Sequence, residues 1–510
     1  RRGKDLVLEK TGQAIRFWGV TTGPENWNQA KSSVDYLAKA LAKRGVNLVR
    51  MHFGEFSYDG PCAELDRAQY FMAAMKKQGI YVGMNIFCTA CYRVKPRWNL
   101  PEFLPGYAPY TELFFYKPLQ DRYKSWYKNL LATPNPYAGG VPMGQDPGVA
   151  YLEIIDESNY FWGTFQPYRS PPEHLMPILE KRFGDFLVKK YGSLDKLKDV
   201  WHAKEVIRGD DFANGRIGLE AGGMLCYRAK FPDSDQRYKD QTQFMTEDLR
   251  QFFTEMTEYF HQDLGFGGEV CPSNWIAPEY SVMDPLDKYA YTAGGIVARN
   301  NYMGCPHIGN GFSVNKGDKY ANLSTLLEPE KADPLLMLQQ ADYPFFWTEG
   351  NWDMPSRFRG EMPAMVAAYS ALQGIDGIML FAVQPNWLAM PRKWPINTPV
   401  TLGQFPAASL IYRNGYVKES APVIREALKL QDLYNFKGGA LKNSMGLDFV
   451  HAGEISREGR TQTEKVNRYD PLSPLVGPVV RAVGDDPGPS TILADLPQRI
   501  DRAHKIVTSA

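Results

Sequence analysis

The fold is decided by the stretch Val46-Asn-Leu-Val-Arg-Met-His52, a helical segment over Ala63 to Gln78, and the run Ile80-Tyr-Val-Gly-Met-Asn-Ile-Phe87. The two outer runs are short and apolar, which is typical of buried strands, and the segment between them has helical spacing. Gly79 follows the helix, and a glycine is favoured there because it adopts the left-handed conformation that ends helices. A strand, a helix and a second strand in this order predict a βα unit and a parallel sheet.

Apolar and amphipathic segments alternate in the same way over most of the chain. We predict eight strands: Ala14–Thr21, Val46–His52, Ile80–Phe87, a run from Val149 that carries Glu157, Gly268–Trp275, Gly295–Tyr302, Phe345–Glu349 and Gly377–Val383. We predict helices over Ser33–Arg44, Ala63–Gln78, His174–Tyr191, Ser193–Trp201, Gln243–Leu264, Glu361–Gln373 and Gln404–Asn414. Eight βα units in series favour a closed barrel over an open sheet. The predicted fold class is therefore α/β, a (β/α)8 TIM barrel over residues 1–433.

Two regions fall outside this alternation. A long insertion at about residues 163–240 follows the fourth strand, and residues 434–510 contain many Gly, Pro and Asp with short β-like runs. We therefore expect a β-rich ancillary region after the barrel. The chain opens without an initiator Met, which favours a trimmed or processed form. Its last apolar run lacks a closing turn, so we expect the natural protein to continue past Ala510.

The composition excludes several classes of partner. A hydrophobic share of 44% supports a large core, while a net charge of +1 gives no basic field for nucleic acid. No run of about 18 apolar residues occurs, so no membrane span is predicted. The aromatic share of 13%, with 11 Trp and 29 Tyr, suits stacking on the apolar faces of sugar rings. The composition leaves open whether the protein forms a homo-oligomer.

Two glutamates follow short apolar runs. Glu157 lies in Val149-Ala-Tyr-Leu-Glu-Ile-Ile-Asp-Glu-Ser-Asn159, ahead of the aromatic residues 160–162, and Glu349 lies in Tyr343-Pro-Phe-Phe-Trp-Thr-Glu-Gly-Asn-Trp352. Because a barrel presents the C-terminal ends of its strands on one face, we expect these carboxyl groups to converge there. Retaining sugar hydrolysis uses one carboxylic acid to protonate the leaving oxygen and one carboxylate to attack, roughly 5–5.5 Å apart. The pair therefore predicts glycosidase chemistry.

These motifs and the strand order resemble clan A of the glycoside hydrolases, the retaining (β/α)8-barrel enzymes, over about residues 14–430. The resemblance implies that Glu157, after strand four, is the acid/base and that Glu349, after strand seven, is the nucleophile. The segment Phe183–Trp201 also resembles a part of galactosidase-like members. The exact family is left open between galactosidase-like and cellulase- or mannanase-like members.

The same resemblance implies supporting residues. Arg50, at the end of strand two, matches the arginine that hydrogen-bonds the nucleophile, and Tyr302, after strand six, matches the tyrosine that also contacts it. Trp387 and Trp394, after strand eight, are candidates for the aromatic platform under the substrate sugar.

Asp156 departs from the clan pattern, which has an Asn that donates to the 2-hydroxyl of the sugar. An ionised Asp only accepts, so Asp156 would bind a hydroxyl hydrogen, raise the pKa of Glu157 by like charge, or carry its own proton. This puts the recognition of the sugar in question more than the type of reaction. Four further residues at strand ends are candidates for the sugar subsite: His52, Asn85, Asn274 and Trp275.

The six cysteines do not make a disulfide framework in a chain of this size. Cys88-Thr-Ala-Cys91 is a CxxC motif, which can hold a metal, form a disulfide or do neither. The histidines have no HExxH spacing, so no catalytic metal is predicted. Neither a phosphate-binding glycine loop nor a Gly-x-Ser-x-Gly motif is present, and no cofactor is predicted.

The leading prediction is a retaining β-glycoside hydrolase that acts on poly- or oligosaccharides through a covalent glycosyl-enzyme. A β-galactoside is the favoured substrate, with β-mannosides and β-glucosides next. The alternative from another class is a non-catalytic carbohydrate-binding barrel, which Asp156 keeps open, and a weaker one is a metal-dependent hydrolase built around the cysteines. A secreted or periplasmic location is expected from the polysaccharide substrate alone.

Overall fold

A computed structural model of the chain describes residues 1–88, 91–201, 206–303, 307–308, 313–320, 322–329, 335, 337–385, 392–441, 469–504 and 506–510. Its centre is a barrel of eight parallel strands, which confirms the predicted fold class. The strands are β1 Phe17–Thr22, β2 Leu48–His52, β3 Tyr81–Asn85, β4 Val149–Glu153, β5 Glu269–Cys271, β6 Val297–Asn300, β7 Phe345–Gly350 and β8 Gly377–Val383.

The ladder of paired strands runs β5-β4-β3-β2-β1-β8-β7-β6. Between its two ends, the amide of Ile296 donates to the carbonyl of Val270 at 3.1 Å, and the amide of Asn300 donates to the carbonyl of Asn274 at 2.8 Å. These bonds link β6 to the segment that continues β5, so the ring of strands is nearly closed. All C-terminal ends of the strands therefore lie at one end of the barrel.

The barrel interior is packed with side chains. Phe17, Leu48, Tyr151 and Phe346 are buried in one apolar cluster, and the rings of Tyr151 and Phe346 meet edge to face at 5.2 Å. A Cβ on Gly83 would lie 2.0 Å from the Tyr151 ring. Glycine on β3 is thus what admits the tyrosine from β4, and the barrel carries a filled core below its C-terminal end.

Helices surround the strands. Those of the barrel and its loops cover Pro24–Trp27, Lys31–Ala42, Ala63–Lys77, Glu112–Phe115, Lys117–Ala132, Gln236–Glu258, Met283–Tyr291, Met362–Leu372, Pro399–Leu402, Phe405–Arg413 and Leu430–Tyr434. The predicted helices agree with these to within a few residues, except that Gln236–Glu258 begins seven residues earlier than predicted. Two of the longer helices, Lys117–Ala132 and Met283–Tyr291, were not predicted, and neither were the helices of four to seven residues. The first buries an aromatic face that includes Tyr123, Trp126 and Tyr127, and aromatic residues are weak helix signals.

The insertion after β4 is confirmed and is largely helical, with Met176–Tyr191, Leu194–Trp201 and Gly222–Arg228. Its helices are tied to the long helix Gln236–Glu258 through the buried carboxylate of Asp240. This carboxylate accepts hydrogen bonds from Tyr191 at 2.8 Å and from the indole of Trp201 at 2.7 Å. Several hydrogen-bond donors stabilise the buried charge of Asp240. These hydrogen bonds therefore hold the helices of the insertion against the long helix.

The C-terminal region is β-rich, as predicted. Its main sheet has the strands Leu338–Gln340, Val479–Gly484, Ile424–Lys429 and Thr491–Ile492, with the first three parallel. A buried ion pair joins Arg481 Nε to Glu426 Oε2 at 2.7 Å. The sheet draws strands from both sides of residue 433, because Leu338–Gln340 precedes β7 in the chain. A short helix, Ser473–Val476, and a strand pair, Ile500–Asp501 with Ile506–Val507, complete the region.

Four strands end earlier than predicted. The third ends at Asn85, the fourth ends at Glu153 and does not reach Glu157, the fifth ends at Cys271, and the sixth ends at Asn300. Beyond β4 the amides of Ile154 and Ile155 still donate to the carbonyls of Cys271 and Pro272, at 2.9 and 3.1 Å, but without regular strand geometry. An apolar sequence pattern indicates that a segment is extended and buried. It does not show whether the segment forms the regular hydrogen bonds of a β-strand. Of the candidate residues, Asp156, Glu157, Asn274, Trp275 and Tyr302 therefore stand on loops that leave the barrel, whereas Arg50, His52, Asn85 and Glu349 lie in strands.

Among the helices in the described part of the chain, none combines the length and the apolarity needed to cross a bilayer.

Candidate active site

Arg50, near the end of β2, is the centre of the charged cluster at the C-terminal end of the barrel. Its side chain is fully buried. Nη1 donates to Glu349 at 2.6 Å, Nη2 donates to Asp156 at 2.6 Å, and the Nε/Nη2 edge holds both oxygens of Glu153 at 3.0 and 2.7 Å. A guanidinium is tolerated in the interior when its planar donors are paired in this way. Three carboxylates are thereby fixed around one cation.

Glu349 lies in β7, one residue before its end, and is 5% exposed. Oε1 accepts from Arg50, and Oε2 accepts from the Tyr302 hydroxyl at 2.7 Å. Both contacts were expected from the resemblance and both are present. Burial raises the pKa of Glu349, as does the Asp156 charge, while Arg50 opposes them. The carboxyl group is held by a cation and a phenol at once.

Glu157 lies on the loop after β4, four residues beyond the strand end. Its backbone has φ +48°, in the left-handed region that non-glycine residues rarely adopt. The Glu157 amide donates to Asn274 Oδ1 at 2.9 Å, and its Oε1 accepts from Asn300 Nδ2 at 2.7 Å. The Asn300 amide is itself oriented by Thr348, whose hydroxyl donates to Oδ1 at 2.8 Å. The chain conformation and the carboxyl group of Glu157 are each held by a separate asparagine.

Asn300 was not selected from the sequence. It ends β6 in the motif Arg299-Asn-Asn-Tyr302, so its position at a strand end was a usable signal. Thr348 immediately precedes Glu349, so the Thr348–Asn300 hydrogen bond couples the two strand ends that carry the contacts of Glu157 and Glu349.

Asp156 is 2% exposed and is held through both oxygens. Oδ1 accepts from Arg50 and from Asn274 Nδ2 at 2.7 Å, and Oδ2 lies 3.0 Å from His52 Nε2. Burial acts to raise the pKa of Asp156, but Arg50, His52 and Asn274 outweigh it and lower the pKa well below its ordinary value. Of the three readings offered by the sequence, the site favours an ionised Asp156 over one that carries its own proton.

His52 is the last residue of β2, and two opposing effects act on the pKa of its imidazole. Burial lowers the pKa of its imidazole, but the hydrogen bond and charge of Asp156 outweigh burial and raise the pKa to about 9. The amide of Gly54 donates to Nδ1 at 3.2 Å and favours the neutral ring, protonated on Nε2. In either form Nε2 carries a proton toward Asp156.

Glu153, the last residue of β4, was missed by sequence reasoning. It is fully buried and also accepts from Asn85 Nδ2 at 2.6 Å and from Asn274 Nδ2 at 3.3 Å. Burial raises the pKa of Glu153 to about 7, with Arg50 acting against that effect. A charged residue inside an apolar run was the available signal, since such a residue needs a buried partner. Asn85 presents its other amide atom, Oδ1, with no hydrogen-bond partner in the described part of the chain.

The aromatic candidates differ in their placement. The Trp394 ring lies 5.8 Å from the ring of Tyr302 and 6.0 Å from that of Phe381, so it borders the contacts of Glu349. Trp275 is 3% exposed and packs edge to face on Trp162 at 4.8 Å. Trp387 lies outside the described residues. Roles for these tryptophans in sugar binding stay predictions.

The thiols of the CxxC motif lie beside this cluster. Cys62, Cys88, Cys91, Cys226 and Cys271 are all free thiols in the described chain, and Cys305 lies outside it. A hydrogen bond from the buried Cys88 thiol lowers the pKa of Cys91 to about 7, against burial and with help from the charge of His52. The pair is thus a vicinal dithiol at the wall of the site.

Comparisons with known proteins show a shared fold. No protein-family model matches the chain, and no curated protein matches it. Among solved structures, Gan42B, a GH42 β-galactosidase, has a TM-score of 0.55 at 12% identity, covering 95% of this chain and 67% of that one. A β-galactosidase from the psychrophilic Marinomonas ef1 has a TM-score of 0.51 at 11% identity, with 92% and 70% covered. The β-galactosidase from Rahnella sp. R3 gives 0.51 at 12%, with 85% and 61% covered.

Proposed function

We propose that this protein is a retaining β-glycoside hydrolase in which Glu349 is the nucleophile and Glu157 the acid/base. The observation that carries the proposal is the unequal surroundings of the two carboxyl groups. Glu349 contacts a cation, Arg50, and a phenol, Tyr302, which stabilise an anion. Glu157 receives the neutral amide of Asn300. Two carboxyl groups in environments of different charge are what an acid and a nucleophile require.

The reaction would proceed by double displacement. In the first step an oxygen of Glu349 bonds to the anomeric carbon while the glycosidic bond breaks, and Glu157 gives its proton to the departing oxygen. In the second step Glu157 takes a proton from water, the water oxygen bonds to the anomeric carbon, and the ester bond to Glu349 breaks. Arg50 and Tyr302 hold Glu349 in place and accommodate its change of charge between the two steps.

A β-galactoside is the substrate we propose first. Three structural neighbours with TM-scores above 0.5 are β-galactosidases, which supports the choice. β-Mannosides and β-glucosides remain the next candidates. The buried Asn85, with an amide oxygen that lacks a partner among the described residues, is a candidate acceptor for a sugar hydroxyl, since buried polar atoms are normally paired.

The test is covalent trapping. The protein is incubated with 2-deoxy-2-fluoro β-glycosyl fluorides of the galacto, gluco and manno series, and intact and peptide masses are then measured. We expect one adduct per chain, on the peptide that contains Glu349, with the galacto reagent reacting fastest. The matched control is Glu349→Gln, which should form no adduct.

An adduct on another carboxyl group would overturn the assignment of the nucleophile. If no reagent labels a protein that demonstrably binds β-galacto-, β-gluco- or β-manno-oligosaccharides, the non-catalytic carbohydrate-binding barrel replaces the hydrolase.

A further inference from the structure

Three potential metal ligands come together beside the carboxylate cluster, and a fourth lies next to one of them. Cys88, three residues beyond the end of β3, forms a parallel bridge with Asp156, and the amide of Asp156 donates to the carbonyl of Phe87 at 2.9 Å. One ligand atom from each of His52, Cys88 and Asp156 lies within 4.8 Å of the other two. The carboxylate and the imidazole of this group are already in contact at 3.0 Å.

The second cysteine of the CxxC motif, Cys91, is the fourth group. The amide of Cys91 donates to the carbonyl of Cys88 at 2.9 Å, and the amide of Tyr92 donates to the same carbonyl at 3.0 Å. These bonds hold Cys91 beside Cys88, and the two thiols are hydrogen-bonded. Cys88 is buried and Cys91 is exposed. Two cysteines at this spacing are a common half of a tetrahedral zinc site.

We propose that Cys88, Cys91, His52 and Asp156 form a site for a thiophilic divalent cation such as Zn²⁺. The site is distinct from the proposed hydrolytic chemistry, which uses no metal, and its effect on activity rests on the proposed function. Thiolate and imidazole ligands are those that Zn²⁺ prefers.

The distances among the ligand atoms of His52, Cys88 and Asp156 allow such a site after a modest contraction. Bonds of about 2.0–2.3 Å in a tetrahedron separate the ligand atoms by roughly 3.3–3.8 Å, so the observed limit of 4.8 Å requires a shift of about 1 Å. Two thiolates and a carboxylate around a divalent cation leave one negative charge, and Arg50 contacts this carboxylate, Asp156, at 2.6 Å.

His52 is the weakest of the four ligands. Coordination through Nε2 requires the proton on Nδ1, where the Gly54 amide donates at 3.2 Å. The two thiolates and Asp156 Oδ2 would therefore dominate the affinity, with Oδ1 still held by Arg50 and Asn274.

Metal binding should inhibit hydrolysis. Asp156 directly precedes Glu157, and Asn274 connects them by donating to Asp156 Oδ1 and accepting from the Glu157 amide. A cation that pulls Asp156 Oδ2 toward Cys88 would shift the loop on which Glu157 stands. A misplacement of the order of 1 Å costs about 10²-fold in rate. The cation would also occupy the His52 side of the subsite.

The test is a Co²⁺ titration of the full chain, reduced with a phosphine, followed by absorption spectroscopy. We expect a thiolate-to-cobalt charge-transfer band that saturates at one ion per chain and that Zn²⁺ displaces. Cys88→Ser and Cys91→Ser should each weaken binding by more than about 10-fold, since loss of a ligand exceeds the effect of losing an outer partner. The matched control is Cys62→Ser, at a helix N-cap where serine serves as well as cysteine.

A second measurement needs no variant. Zn²⁺ should slow the alkylation of Cys91 by iodoacetamide in the native protein, as read by peptide mass spectrometry. Absence of the charge-transfer band, absence of protection, or an unchanged band in the Cys88→Ser/Cys91→Ser double variant would each overturn the site.

Activity separates the two proposals. Zn²⁺ should inhibit wild-type hydrolysis of an aryl β-glycoside by at least about 10-fold, reversibly with a chelator, and should leave Cys91→Ser uninhibited. Equal inhibition of both proteins would overturn the inhibitory role. Cobalt binding in a protein that hydrolyses none of the glycosides would reject the hydrolase and leave the metal site standing.

Discussion

Glu153 holds Arg50 by two hydrogen bonds, from Nε at 3.0 Å and from Nη2 at 2.7 Å, and both side chains are completely buried. The paired edge of the guanidinium thereby faces β4, which leaves Nη1 for Glu349. Glu153 thus acts on the proposed nucleophile through Arg50. It is a positioning residue, and its effect is separable from that of the two glutamates that would touch the sugar.

Glu153→Gln should destabilise the fold. The variant keeps the shape but removes a charge from a buried pair, while Arg50 retains Asp156 and Glu349 as partners. We expect the free energy of unfolding to fall by about 1.5–3 kcal/mol, the range for a hydrogen bond to a charged group. Denaturant titration measures it. Asp195→Asn, at a side chain that is 91% exposed, is the control and should change stability by less than about 0.5 kcal/mol. Equal stability of Glu153→Gln and wild type would contradict the positioning role.

Tyr302→Phe should reduce activity without disturbing the barrel. The substitution removes the hydroxyl that donates to Glu349 Oε2 at 2.7 Å and changes nothing else in shape. A hydrogen bond to a charged group is worth about 1.5–3 kcal/mol, so kcat/KM should fall by roughly 10- to 150-fold. Steady-state kinetics on the substrate identified by trapping measures the change. A decrease in thermal stability with unchanged kcat/KM would show that the hydroxyl is structural only.

Asn300→Ala should impair the acid step selectively. Without the amide that donates to Oε1, Glu157 is less well placed to protonate the leaving oxygen. The rate should fall by 10-fold or more for glycosides with poor leaving groups and change little for dinitrophenyl glycosides, which need no proton; complete loss of the acid costs about 10²–10⁴-fold. Asn414→Ala, at an exposed position, serves as the control. A uniform decrease for all leaving groups would argue against a link to the acid.

Asp156→Asn restores the residue expected in clan A and should change the titration of His52. Burial lowers the pKa of His52, and the Asp156 carboxylate overcomes this and brings it to about 9. With the carboxylate gone, burial and the neighbouring Arg50 should carry the pKa below its ordinary value of about 6.5. NMR of the imidazole C–H signals against pH reads this directly, with His52→Gln assigning the resonance. A His52 pKa that stays near 9 in Asp156→Asn would contradict the coupling.

Glu112 should make stability depend on pH outside the site. Burial raises its pKa from 4.5 to about 7, so the folded state binds the proton more tightly than the unfolded state. Its contribution is complete below pH 4.5 and is lost as the pH rises through 7, which amounts to about 3 kcal/mol. Relative to Glu112→Gln, the wild type should lose stability between pH 4.5 and 8 in denaturant titrations. Parallel pH dependences of the two proteins would refute this assignment.

The sequence predicted the elements where local pattern and tertiary structure agree. Strand β8, Gly377–Val383, was predicted with its observed bounds, and the helix Ala63–Lys77 to within one residue. Buried parallel strands and amphipathic helices can be recognised from a few residues, because burial determines the spacing of their apolar side chains. The order of these elements then favoured a barrel. The predicted ends of the strands were less accurate. After β4, for example, the buried extension has the same apolar pattern as the strand itself.

What the sequence determined by itself is the barrel and the pair of glutamates at its C-terminal end, because both follow from local pattern and strand order. What only the tertiary structure decided is the set of partners around them. Arg50 reaches Glu153 across 103 positions and Glu349 across 299, and Asn300 reaches Glu157 across 143. Such contacts are fixed by which strand ends adjoin in the closed ring. No short stretch of sequence carries that information, so the partners of Glu153 and Asn300 became visible only in the folded chain.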